Sequence, residues 1–169
     1  MPTQSEHPSR FTKSPVRSGH QLSVGSQAEA NGADAVAGST LRFDRKHHVL
    51  LITFAKVATE ASALATYAAV ERFVAAEGPC SVIADLSTIE KLEVRGDLVR
   101  SIAWMPPAIP SGNLRVIVAP RAAVYGLSRM FELYREAKPS DVRVVHTLEE
   151  AHALVDFDPQ QALEVINIT

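Results

Sequence analysis

Two hydrophobic periods alternate along this chain. His48-Val49-Leu50-Leu51-Ile52-Thr53-Phe54, Cys80 to Leu86, Leu114 to Ala119 and Val142 to His146 are short runs that are apolar at most positions. Runs of that length between turn residues predict interior strands covered on both faces. Between them the apolar spacing becomes helical. Ala63, Tyr67, Val70 and Val74 predict one inward face, Leu98 and Ile102 a second, and Val124, Leu127, Phe131 and Tyr134 a third. Leu41-Arg42-Phe43 adds a first strand, joined as a hairpin to the 48–54 run through Asp44-Arg45-Lys46-His47.

The boundaries carry their own chemistry. Thr59 suits a helix N-cap, with Glu60 favourably placed against the helix dipole, and Gly78-Pro79 stops that helix near Glu77. A shorter helix is expected from about Val94 to Trp104. Met105-Pro106-Pro107-Ala108-Ile109-Pro110 breaks it, because proline fixes φ and removes a donor. Pro120 can open the next helix and Lys138-Pro139 can close it. Thr147-Leu148-Glu149-Glu150 fits a capping box opening a last helix through about Val155. From Phe157 to Thr169 the pattern is compatible with a short helix, a strand, or pairing with another chain.

Strand, strand, then alternating helix and strand implies an α/β fold. The expectation is a single mainly parallel sheet with an antiparallel N-terminal edge strand and about four helices. The domain would span residues 40–156, followed by a 157–169 tail. Residues 1–39 are rich in Ser, Gly, Gln, Ala and Pro and poor in large apolar side chains, which predicts a disordered arm.

Composition narrows the function classes. The chain has 169 residues, 46% hydrophobic and 21% charged, with net charge −2. That balance gives no electrostatic footprint for nucleic acid or acidic membranes. No apolar run reaches the length of a membrane span, and no secretory signal is read at the N-terminus. Cys80 is the only cysteine, which precludes an intramolecular disulfide and fits a cytoplasmic setting. No metal, cofactor or catalytic group is expected: the histidines lack metal-ligand spacing, and neither a nucleophile elbow nor a phosphate-cradling glycine loop is present.

The informative segment is Val82 to Gly96, a buried strand followed by a polar break and a helix start. In open α/β sheets that is where functional loops sit, beyond the carboxyl ends of the strands. Asp85 reads either as a site carboxylate or as a turn residue bonding backbone amides. Glu90 and Glu93, interleaved with Lys91 and Arg95, read as a solvated loop. Ser87 follows the strand and reads as a turn former. Trp104 leads into the stiff proline segment, either a partner-binding lid or a cover for the sheet edge. Arg121 near a helix start is a candidate anion contact. Tyr125 and Arg129, four apart on one helix, are candidate ligand or dimer contacts, or a surface stacking pair. Gly126 inside the same helix suggests a close approach to the sheet or to a neighbouring chain.

Asp85-Leu86-Ser87, Val118-Ala119-Pro120, Tyr125-Gly126-Leu127-Ser128-Arg129-Met130-Phe131-Glu132 and Leu148-Glu149-Glu150-Ala151, in this element order, resemble the STAS family of bacterial anti-sigma-factor antagonists. The likeness is greatest to stand-alone STAS-like proteins and covers about residues 41–156. It implies a non-enzymatic regulatory domain whose partner is a protein, such as a regulator or a kinase-like protein. In phospho-switched members the loop ends in Asp-Ser-Ser-Gly. Laid on this chain, that tetrad falls on Glu93-Val94-Arg95-Gly96, so the switch serine is Val94. Valine cannot carry the phosphate charge on which that switch depends.

The expected function is therefore a protein-binding module without the phospho-switch. Its partner surface would comprise Asp85, Ser87, Glu93, Val94, Arg95, Gly96 and Trp104, and a homodimer is compatible with the chain. The alternative is a binding protein for a small apolar or lipid-like ligand, since similar short α/β domains look like the lipid-exchange (CRAL-TRIO) class. A closed apolar pocket of about 300 Å3 or more would favour the alternative, and a packed sheet interior would oppose it.

Overall fold

A computed structural model describes residues 38–136, 141–157 and 164–165. Residues 1–37 of the expected arm, the Lys138-Pro139 stop and most of the tail lie outside the described residues. The elements are β1 (Thr40–Asp44), β2 (Val49–Thr53), β3 (Val57–Thr59), α1 (Glu60–Glu77), β4 (Ser81–Asp85) and β5 (Lys91–Glu93). They continue with α2 (Gly96–Trp104), β6 (Arg115–Val118), α3 (Ala122–Glu136), β7 (Val142–Val145), α4 (Leu148–Val155) and β8 (Glu164–Val165).

The main sheet has the order β7-β6-β4-β2-β1-β8. β2, β4, β6 and β7 are parallel neighbours, and β1 runs antiparallel to β2. The fold is thus the expected α/β class. Asp44 closes the β1–β2 hairpin: Oδ1 accepts from the backbone N–H groups of Lys46 (2.8 Å) and His47 (3.2 Å), and Oδ2 meets His47 Nδ1 at 2.6 Å. β8 pairs with the outer side of β1, Arg42 opposite Val165, so of the three options for the tail this stretch is a strand within the chain.

Each parallel strand is followed by the next one outward, without reversal. Right-handed crossovers then put α1, α2 and α3 on one face of the sheet. The side chains agree. Leu50, Ile52 and Val82 pack with Ala69, Val70 and Phe73 of α1, whereas Val49, Ile83, Val116 and Val118 pack with Ala151 of α4 and with Phe157. Alternation along each strand splits the core into these two halves.

Both threonine caps form. Thr59 and Ser62 make a reciprocal capping box at α1, as do Thr147 and Glu150 at α4. α2 opens at Arg95 without a side-chain cap. Two short elements, β3 and β5, differ from the sequence expectation. Residues 91–93, read as part of a solvated loop, form β5 and pair in parallel with β3, Ala58 opposite Leu92. Three residues with a single apolar centre are too short to show a period, and their partner lies more than thirty residues earlier. Ala58 and Leu92 turn inward while Lys91 and Glu93 face solvent, so this small ribbon closes over the end of the sheet.

Candidate functional site

The face shared by α1, α2 and α3 is not filled. α2 packs along α3, not along α1, which leaves a slot above β4 and β6. The side chains bordering it are small where a closed core needs large ones. Ala58, Ala63, Ala84 and Ser128 all line an apolar pocket of about 200 Å3 that is open to solvent, bounded also by Phe54, Leu86, Val94, Ile102, Ile117 and Phe131. A second compartment of about 170 Å3 continues from it and shares Phe54, Ala63, Ala84, Ile102, Ile117 and Phe131 as walls. Ala84 and Ile117 stand on central strands between two helical layers, yet both are only half-buried. Side chains at such positions in a closed core are fully buried and close-packed.

The two compartments differ in their far walls. The first ends against Leu86, Ile89, Leu92 and Val94 of the β4–α2 segment. The second adds Thr66, Tyr67 and Arg115. Arg115 Nη2 donates to Ile109 O at 2.6 Å, and no carboxylate of the described residues lies within ion-pair distance of it. Asp141, which follows the same sheet edge, accepts from Gly112 N–H at 2.8 Å. Burial and the nearby charge of Arg135 push the Arg115 guanidinium down to about 10, against smaller opposing effects of Tyr67 and the Asp141 carboxylate, so it remains a cation at neutral pH. Arg135 is 1% exposed, donates to Ile102 O, and lies over the Phe131 ring.

The residues singled out from the sequence fall into three groups. Asp85 is 6% exposed and its Oδ1 accepts from Ser87 N–H at 2.9 Å, so the pair forms the Asx turn that ends β4. Phe54 N–H donates to Asp85 O, Leu86 N–H donates to Val118 O, and Thr88 Oγ1 donates to Phe54 O, which ties this loop to both neighbouring strands. Val94 and Gly96 are half-buried, with Val94 lining the cavity and Gly96 beside Met130. A Cβ on Gly96 would come within 2.9 Å of the Met130 methyl.

Glu93, Arg95 and Trp104 are exposed. Glu93 pairs with Lys91, Glu90 with Lys56, and Arg95 with Asp97 and Glu60. Asp97 beside it holds the Arg95 guanidinium above its ordinary value, and the same bond holds the Asp97 carboxyl below its own. Such exposed pairs contribute little stability. Trp104 is 58% exposed and Met105 37%, followed by exposed Pro106 and Pro107. Tyr67 Oη donates to Pro106 O, anchoring that segment to α1.

The third group corrects the sequence reading of α3. Tyr125 and Arg129 do not stack on each other. The Tyr125 ring stacks on His146, with centroids 4.2 Å apart, and Arg129 pairs with Glu132, which is 5% exposed. Tyr125 meets His146 because β7 delivers it to the helix, whereas Arg129 finds Glu132 three positions along α3 itself. Arg121 is exposed at the head of α3. Gly126 shows no close approach to the sheet, since a Cβ there would meet nothing within 4 Å.

The sequence raised an apolar pocket as an alternative but did not place its walls. Their only signal is the coincidence of Ala58, Ala63 and Ala84 on three separate elements, and nothing in the one-dimensional pattern says that they face one another. Among the described residues, no three His, Cys, Asp or Glu side chains gather as metal ligands, and no helix is long and apolar enough to cross a membrane. Comparison with protein-family models, with curated proteins and with solved structures found no match for this chain.

Proposed function

We propose that this chain is a non-enzymatic, cytoplasmic regulatory module of STAS type that binds a protein partner without a phosphoserine switch. The observation that carries the reading is the exposed Trp104-Met105-Pro106-Pro107 run at the end of α2. A tryptophan with most of its surface in water, on a segment stiffened by prolines, can bury much area at little entropic cost. The Arg95–Asp97–Glu60 charges lie at the opposite end of α2 and would fix register. The test is affinity capture with wild type and an Arg95→Glu/Trp104→Ala variant, compared by mass spectrometry. A protein retained by the wild type and lost by the variant supports the reading. Identical captures from the two overturn it.

A second reading has an observation of its own. The unfilled apolar slot supports binding of a small apolar or lipid-like ligand, because a cavity of this kind in a ligand-free domain forfeits packing energy with no structural return. The two readings are compatible. The loop and helix that would face a partner also form one wall of the slot.

A further inference from the structure

We infer that the slot takes a single-chain amphiphile with a carboxylate head, such as a medium-chain fatty acid, its head on Arg115 and its tail along β4 and β6. This rests on the apolar-ligand reading and names the ligand's chemistry. Both compartments present mostly carbon, and they differ in the side chains at their far ends: the one beyond Ala84 and Ile117 ends on aliphatic residues, whereas the one before them includes Arg115, Tyr67 and Thr66 among its walls.

Arg115 is the discriminating residue. It stands two positions before Ile117 on β6, so both side chains point to the same face. Its guanidinium offers a planar fork of donors, of which a single contact, to Ile109 O, is used within the described residues. Arg115 is half-buried and the Asp141 carboxylate acts on it without forming an ion pair, so a ligand carboxylate at the fork gains a charged hydrogen bond that the chain itself does not supply. Arg135, within electrostatic reach, adds positive charge on the same side. A carboxylate matches the guanidinium fork bidentately, which a hydroxyl cannot do.

Length is set by register. Arg115 lies opposite Val82 and Ile117 opposite Ala84, and Leu86 is the next inward position. Four strand residues span about 13 Å, the length of an alkyl chain of on the order of ten carbons. The tail would then end against Leu86, Leu92 and Val94, the inner side of the segment whose outer side is the proposed partner surface.

The test is calorimetric titration of the full chain with decanoate and with 1-decanol. These share a tail and differ at the head. Decanoate should bind at least about tenfold more tightly, the effect of one charged hydrogen bond. Arg115→Met should bring the two ligands to equal affinity, and Ala84→Leu, which blocks the waist between the compartments, should weaken both. Equal binding of acid and alcohol to the wild type overturns the carboxylate assignment and leaves the apolar-ligand reading standing. Binding of neither overturns both. The wild-type comparison decides the matter even where a variant fails to fold.

Discussion

Ala84→Val is the perturbation that most directly asks whether the slot is empty space. Ala84 lies on β4, the middle of the parallel sheet, between Ile52 on β2 and Ile117 on β6. In a close-packed interior, two added carbons at this position force neighbours off their rotamers and cost about 1–3 kcal/mol. Here the alanine borders both compartments, so the two methyl groups enter unoccupied volume. Each buried carbon contributes about 0.8 kcal/mol, which gives an upper value of about 1.6 kcal/mol. Residual burial in the unfolded chain lowers the expected gain to about 1 kcal/mol. Valine also suits a strand, where its branched side chain packs across to neighbours. The assay is urea unfolding followed by circular dichroism, with the gain appearing as a higher midpoint at unchanged slope. The melting temperature should rise by about 3 °C. A loss of 1 kcal/mol or more would show that the interior above β4 is closed, and the ligand reading would go with it.

Three further outcomes follow from other parts of the structure. Gly126→Ala should stabilise the domain by about 1 kcal/mol in the same assay, because the position is exposed in a helix interior with nothing near the added methyl; a loss in dilute protein would contradict this. Burial pushes the Cys80 thiol up to about 11, so iodoacetamide at pH 8 should label it only as fast as the chain unfolds, measured by intact-mass spectrometry. At Asp44, burial acts to raise the carboxyl, but the His47 and backbone hydrogen bonds outweigh it and hold it below its ordinary value of 3.8. Its contribution is then fully present above about pH 4 and fades as pH falls through the lowered value. Asp44→Ala should cost about 1–2 kcal/mol at pH 7, with the gap to wild type narrowing in unfolding curves below pH 4.

The sequence by itself determined the elements and their order. Interior strands announced themselves as short apolar runs, helices as a change of period, and the Thr59 cap and the Thr147 capping box as local spacing, because each depends on residues within a few positions of one another. The parallel sheet followed from chain connectivity and the handedness of crossovers. Asp85 and Ser87 were legible as a turn for the same local reason.

What the sequence left open were the relations between elements. The β3–β5 ribbon joins two three-residue stretches whose pairing only the folded chain reveals. Tyr125 found His146 just past β7, not Arg129 one turn away, and Glu164–Val165 of the tail found β1. The slot is the clearest case. Alanines at 58, 63 and 84 look ordinary one at a time, since alanine suits a helix and is tolerated in a strand. Only their meeting across three elements leaves a void, and only β6 aims Arg115 at its end. Local propensity reads along the chain, whereas volume and charge complementarity are set across it.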